Sequence, residues 1–464
     1  MDAIDRELDR IWAIVPGDGG PRPPLDLTPA PFTLASAFDV DTIAVTSVAA
    51  ATLAAAALGP AGGAGGPVAL DGGGALASCT GWLRRDGEPI PVWADLSGLY
   101  RCRDGRAVQI HANFAHHAAG VAARLGVAEE REAVAAAIAR WDAFELERAL
   151  IGDGMIGAAY RTLDEWAAHP HAAATTGLPV IEVERLGDAA PLAPAATERG
   201  AGDERPLTGV RVLDCTRVLA GPVCGQTLAA HGADVLRVGA AHLPSIPMGV
   251  MTTGFGKRNA FVDLDTAGGR TTFRDLADGC HVLVDAYRPG SLAARGFGAA
   301  ELAGRRPGIV IVEIGAFDWV GPWAGRRGYD SIVQTTTGLA LAGADAARAG
   351  GADVPDGQPV HLPVQALDYA TGFLAAFAAQ RLVALQRQEG GSWRARLSLL
   401  RTRNWLTSLG GPTPFVPAPA LPDLSPWLHT VDSPFGRIEA VRPVAGRWDT
   451  PPAPLGTSPA TWLS

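Results

Sequence analysis

Residues 206–238 read PLTGVRVLDCTRVLAGPVCGQTLAAHGADVLRV, and this stretch decides the fold. Its first part, GVRVLDC at 209–215, is β-branched and alternating, with the length of one buried strand. The next part, GPVCGQTLAAHGA, carries apolar residues at helical spacing and meets a stop signal at Gly232. ADVLRV then supplies a second strand. Strand, crossover helix and strand in succession is the recipe for a parallel pair.

Working outward, HVLVDAY (281–287) and GIVIVEIG (308–315) add two more apolar runs of strand length. Helical segments such as GGRTTFRDLADG and SLAARGFGAAELAGRR lie between them. The expectation is an α/β fold with a doubly wound, largely parallel sheet. Upstream the texture changes. GLYRCRDGRAVQIHANF (98–114) predicts a hairpin turning at Asp104-Gly105, and helical segments follow it, as in a smaller α+β domain. Three Pro/Gly/Ala-rich stretches, 59–75, 187–206 and 410–426, read as connections. The predicted division is a partial repeat at 25–95, the small domain at 96–185, a linker at 186–205, the sheet domain at 206–408 and a tail at 409–464.

An internal repeat stands behind the first of these units. Residues 37–48 read AFDVDTIAVTSV and residues 366–377 read ALDYATGFLAAF. Each sets a carboxylate before a long apolar helix, and each is followed by glycines, a strand-like segment and a Trp. Chance likeness of Ala-rich helices is the alternative to duplication.

Composition narrows the class. With 47% hydrophobic residues in 464 the chain can bury an ordinary core. A formal charge of −9 speaks against a nucleic-acid partner, which needs clustered basic surface. The five cysteines, Cys79, Cys102, Cys215, Cys224 and Cys280, form no CxxC pair and read as reduced thiols. The acidic start MDAIDRELDR has no basic n-region, and the apolar run 43–58 is short for a membrane span, so a cytoplasmic protein away from the membrane is expected.

The blocks PLTGVRVLDCTRVLAGPVCGQTLAAHGADVLRV, GKRNAFVDLDTAGGR, HVLVDAYRPGSLAARGFG, GPWAGRRGYDSIVQTTTGL and PVHLPVQALDYATGFLAAFAA, in this order, resemble the family III CoA-transferases. That group includes formyl-CoA and carnitine-CoA transferases and acyl-CoA racemases, and the resemblance covers about 205–406. It implies a Rossmann-like sheet domain without a resident cofactor, coenzyme A being a substrate beside a carboxylic acid. Segments 98–126 and 161–172 resemble the family's small domain, displaced to the front, and the tail resembles its C-terminal return. Family members form interlocked dimers, so a homodimer or an intrachain pseudo-dimer is expected of this rearranged form.

The resemblance also assigns residues. Asp368, in LDYATG, stands where the family has its nucleophile, a carboxylate that forms a mixed anhydride and then a thioester. Read locally, an Asp before a helix is an N-cap. Arg217, Leu219 and Ala220 match nucleotide-site positions, and Tyr287, Arg295 and Arg327 match others in contact with the coenzyme. Lys257 and Arg258 add positive charge near the phosphates. Any single Arg is as readily a solvated surface residue. Gly328-Tyr329-Asp330 replaces the Gly-His-Asp of the racemase branch, and a phenol is a poor substitute for an imidazole base. Transfer is therefore preferred over racemisation, or over a non-catalytic CoA-binding protein, with Tyr329 at the site and Asp330 in support.

The sequence departs from the family at Gly239, Ala240, Gly254 and Ala286, which replace residues expected at the phosphate and adenine contacts. The His111, His116, His117 cluster lacks zinc-site spacing and reads as structural or surface, with no metal expected. Asp39 or Asp41 takes the place of Asp368 in the first repeat and reads as a vestige.

Overall fold

The computed structural model describes residues 2–16, 20–59, 66–192, 205–418 and 420–463. Six parallel strands form its centre, in the order Arg258–Phe261, Asp234–Gly239, Arg211–Cys215, Val282–Asp285, Val310–Gly315 and Ser392–Ser398. Alternation along the strands explains how both faces are filled. Val212, Val235, Val284 and Val312 face one core with helices Ala220–Ala230 and Ala366–Glu389. Leu213, Leu236, Leu283 and Ile311 face the other, against Phe273, Leu276 and Leu302 of helices Ala267–Gly279 and Ala299–Arg305. The doubly wound sheet expected from residues 206–238 is thus present.

A seventh strand, Glu182–Gly187, joins this sheet antiparallel to Ser392–Ser398. It overlaps the stretch read as the start of a linker, and the correction has a simple cause. EVERLG sets three charged residues around Val183 and Leu186 and faces solvent at Glu184 and Arg185, as an edge strand does. The remainder of that predicted linker, 193–204, lies outside the described residues.

The small domain contains the predicted hairpin, Gly98–Arg101 paired with Ala107–Ile110, widened by Gly157–Ala159 into a three-stranded antiparallel sheet. Gly105 carries the positive φ of 78° that the turn requires. Helices Ala115–Leu125, Arg131–Ile138 and Ala143–Gly152 pack their apolar sides on it through Val121, Val134, Ile138, Leu146 and Leu150.

The region before the small domain is more ordered than its glycines suggest. Within the stretch read as a loose connection, Val68–Asp71 is a strand parallel to Leu25–Thr28, and Gly72–Ser78 is a helix capped by Asp71. Backbone of Thr28 and Ala30 at Gly72, and the Trp427 ring at Gly73, leave no room for a larger side chain there. Strand, long helix, parallel strand and capped helix recur at Val310–Gly315, Ala366–Glu389, Ser392–Ser398 and Leu399–Ser408. The two long helices of these units, Val40–Leu58 and Ala366–Glu389, pack on each other. Val40–Leu58 has the length and composition to cross a membrane, against the shorter reading of its sequence, but 83% of it is buried inside the fold. The tail returns as a hairpin of strands Leu428–Ser433 and Gly436–Val441, the second of which pairs with Leu83–Arg85. All five cysteines are buried and free.

Candidate active site

The parallel sheet reverses its winding between strands Arg211–Cys215 and Val282–Asp285, and a cleft of about 460 Å³ opens at the carboxyl ends of these strands. The turns after the strands line one wall, among them Arg217–Gly221, Gly239–Pro244 and Ala286–Pro289. Phe114, His116, His117 and Ile156 of the small domain line the other. Asp368 reaches the same cavity and is only 7% exposed.

Asp368 does not cap its own helix, which begins at Ala366 with Gln365 at the N-cap position. It serves another helix instead. Ala220–Ala230 starts at Leu219 without a side-chain cap, and the Ala220 backbone amide favours the Asp368 anion. Burial and the neighbouring Asp330 outweigh that amide and push the Asp368 carboxyl well above the usual carboxylate range. Asp330 lies beneath, fully buried, and accepts from the Asp368 backbone N–H at 3.0 Å and from the Gln334 side chain. Burial raises it to about 6.

Backbone strain concentrates here. Val218, in the turn after the first strand, has φ 73°, and Val364 and Gln365, just before the helix of Asp368, both have φ 57°. A β-branched residue at positive φ is a genuine outlier, costing of order 1–3 kcal/mol. No glycine marks these positions, so the sequence carries no signal of them.

Arg217, Leu219, Ala220, Tyr287, Arg295, Arg327 and Tyr329 all line the cleft with Asp368. The Arg217 guanidinium lies over the Phe114 and Tyr287 rings, at 5.5 and 5.8 Å, and donates to the Pro244 carbonyl. Tyr287 donates to the Val238 carbonyl at 3.2 Å. Tyr329 stacks on His111 with centroids 3.8 Å apart, and burial raises its phenol to about 12. Arg295 is held by Asp265 at 2.7 Å.

Residues 207–409 match the family model described as CoA-transferase family III. Over this segment the chain resembles that family. An acetyl-coenzyme A transferase, nodX of Hypoxylon pulicicidum, is 28% identical over 67% of this chain and 54% of its own length. A succinyl-CoA:glutarate CoA-transferase of Mus musculus is 32% identical over 40% of this chain and 43% of its own. A solved CaiB/BaiF family protein from Brucella suis is 25% identical, covering 50% of this chain and 65% of that one, with a TM-score of 0.39. The chain spans about half the length of the curated relatives it matches.

Two residues expected at the CoA site lie elsewhere. Lys257 is buried beneath the first strand, bonded to Asp214 at 3.0 Å and to the Pro222 carbonyl. Arg258 is on the outermost parallel strand, paired with Asp234 at 2.9 Å and donating to the Thr461 carbonyl. Both are spent on internal carboxylates, which a basic dipeptide in sequence does not reveal. Of the departures from the family pattern, Gly239, Ala240 and Ala286 line the cleft, while Gly254 packs against Pro452.

The sequence reading missed His116 and His117, placed by the start of helix Ala115–Leu125 in the cleft wall. Arg288 and Arg326 also line it, Arg326 being tied to Glu147 at 3.0 Å. The pattern HANFAHH was visible, but only the docking of the small domain shows which way it faces. In the segment read as a partial repeat, Asp39 caps helix Val40–Leu58 through the Thr42 N–H, and Asp41 accepts from the Leu34 N–H. Among the described residues, His242, Asp263 and Asp265 are the grouping with ligand atoms within 4.8 Å of one another.

Proposed function

We propose that this chain moves coenzyme A between an acyl-CoA and a carboxylic acid, with Asp368 as the nucleophile. One observation carries the reading: a buried carboxyl at the floor of a cleft that cationic side chains and two domains enclose. A carboxylate oxygen of Asp368 attacks the thioester carbonyl, the C–S bond breaks, and the thiolate leaves an aspartyl mixed anhydride. The thiolate then attacks the Asp368 carbonyl, releasing the first acid and leaving an aspartyl thioester. The incoming carboxylate reverses the two steps, forming a new anhydride and then a new acyl-CoA. Enclosure serves each intermediate, because water would hydrolyse either one. Both walls of the cleft come from one chain, which supports reading it as an intrachain counterpart of the family's dimer.

Mass spectrometry of the protein mixed with acyl-CoA tests this. The expected result is an adduct on Asp368 and its absence in Asp368→Ala, with transfer lowered roughly 10³-fold or more. Retained turnover in that variant overturns the proposal. In deuterated water the α-position of the acyl group should stay unlabelled, whereas wash-in of label would favour a racemase.

A further inference from the structure

We propose that His116 and His117 complete a site for the diphosphate of coenzyme A, together with Arg217 and Arg327 on the other wall of the cleft. This rests on the coenzyme reading above and adds residues that no alignment of motifs assigned.

The first support is uncompensated charge. Among the described residues neither Arg217 nor Arg327 has a carboxylate partner, and their polar contacts are the carbonyls of Pro244 and Gly154. Beside them in the cleft lie two imidazoles. Burial, then Arg327 and Arg217, pushes the His116 imidazole below its ordinary value, and burial, His116 and the same two guanidiniums hold His117 at about 4. A group of mutually repelling basic side chains in a cleft is the signature of a site built for an anion.

The second support is independent. His117 is 3% exposed and its Nδ1 has no hydrogen-bond partner, although the residue lines the cavity. Buried polar atoms are ordinarily paired, so this nitrogen lacks the partner that a bound group or a water would supply. Helix Ala115–Leu125 begins beside it at Phe114 with no side-chain cap, presenting its positive end to the same space.

A diphosphate fits these donors better than the acid substrate does. Two guanidiniums and two imidazoles match a dianion with several non-bridging oxygens, whereas one carboxylate would leave half of them unanswered. The sheet wall is poor in such donors where Gly239, Ala240 and Ala286 stand. The small domain supplies from the opposite side what these positions lack.

Calorimetric binding of coenzyme A, dephospho-coenzyme A and pantetheine tests the assignment in wild type, in His116→Ala and in His116→Leu/His117→Leu. His116 is exposed, so its single variant tests the site even if the double variant fails to fold. The expected result is a loss of about ten-fold for both diphosphate ligands and none for pantetheine. Equal loss for pantetheine, loss for coenzyme A but not its dephospho form, loss confined to the carboxylic acid, or no loss overturns it. An adduct on Asp368 without this binding pattern sinks this inference alone. The pattern without an adduct sinks the transferase reading alone.

Discussion

The Asp368 backbone N–H donates to Asp330 Oδ2 at 3.0 Å, which sets two buried carboxyl groups together at the floor of the cleft. Burial, and then the neighbouring Asp330, raise the Asp368 carboxyl above the usual carboxylate range. Asp330 disfavours charge on Asp368 electrostatically while fixing the first turn of its helix.

The acid limb of transfer should therefore respond to Asp330. Replacing it by Asn removes a negative neighbour, so the Asp368 carboxyl ionises at lower pH. The pH profile of kcat/KM is expected to shift its acid limb downward. An unmoved limb would mean that Asp330 only holds the helix.

Gly372 lies one turn along from Asp368, where helices Ala366–Glu389 and Ala220–Ala230 touch. A Cβ there would sit 2.6 Å from the Ala220 carbonyl oxygen and 2.8 Å from Val223 Cβ. Gly372→Ala should part the helices, cost about 1–3 kcal/mol and lower kcat by loosening Ala220 against Asp368. Urea denaturation and steady-state kinetics check both effects.

Lys257→Met separates a structural role from a coenzyme role. Leaving Asp214 buried and unpaired should cost about 3–5 kcal/mol in chemical denaturation. An unchanged stability with weakened coenzyme binding would return Lys257 to the phosphate site.

Acid sensitivity has a traceable source in His361. Burial lowers its pKa from 6.5 to about 4, so the unfolded chain takes up a proton first as the pH falls. Its contribution is full above pH 6.5 and lost as the pH falls through about 4, near 2 kcal/mol by pH 5. His361→Gln should lose less stability than wild type between pH 7 and 5. Equal losses in the two proteins would contradict the assignment.

The short β-branched apolar runs of strands 211–215, 234–239, 282–285 and 310–315 made the parallel sheet legible, because burial on both faces leaves little room for polar residues. Asp368, Arg217 and Arg327 were legible through their motifs. The edge strand at 182–187 and the wall of His116 and His117 were not. Their roles come from how distant segments dock, which local patterns do not encode. Lys257 misled for the same reason, since its partner Asp214 is 43 positions away.

The pairing of Glu182–Gly187 with Ser392–Ser398 also dictates an order of events during translation. The edge strand leaves the ribosome some two hundred residues before its neighbour exists, and helix Val40–Leu58 waits longer still for Ala366–Glu389. At roughly 5–20 residues per second the nascent chain carries these unmatched apolar surfaces for ten seconds or more. Final packing of helix Val40–Leu58 is therefore a late event, completed only after synthesis has passed the end of helix Ala366–Glu389.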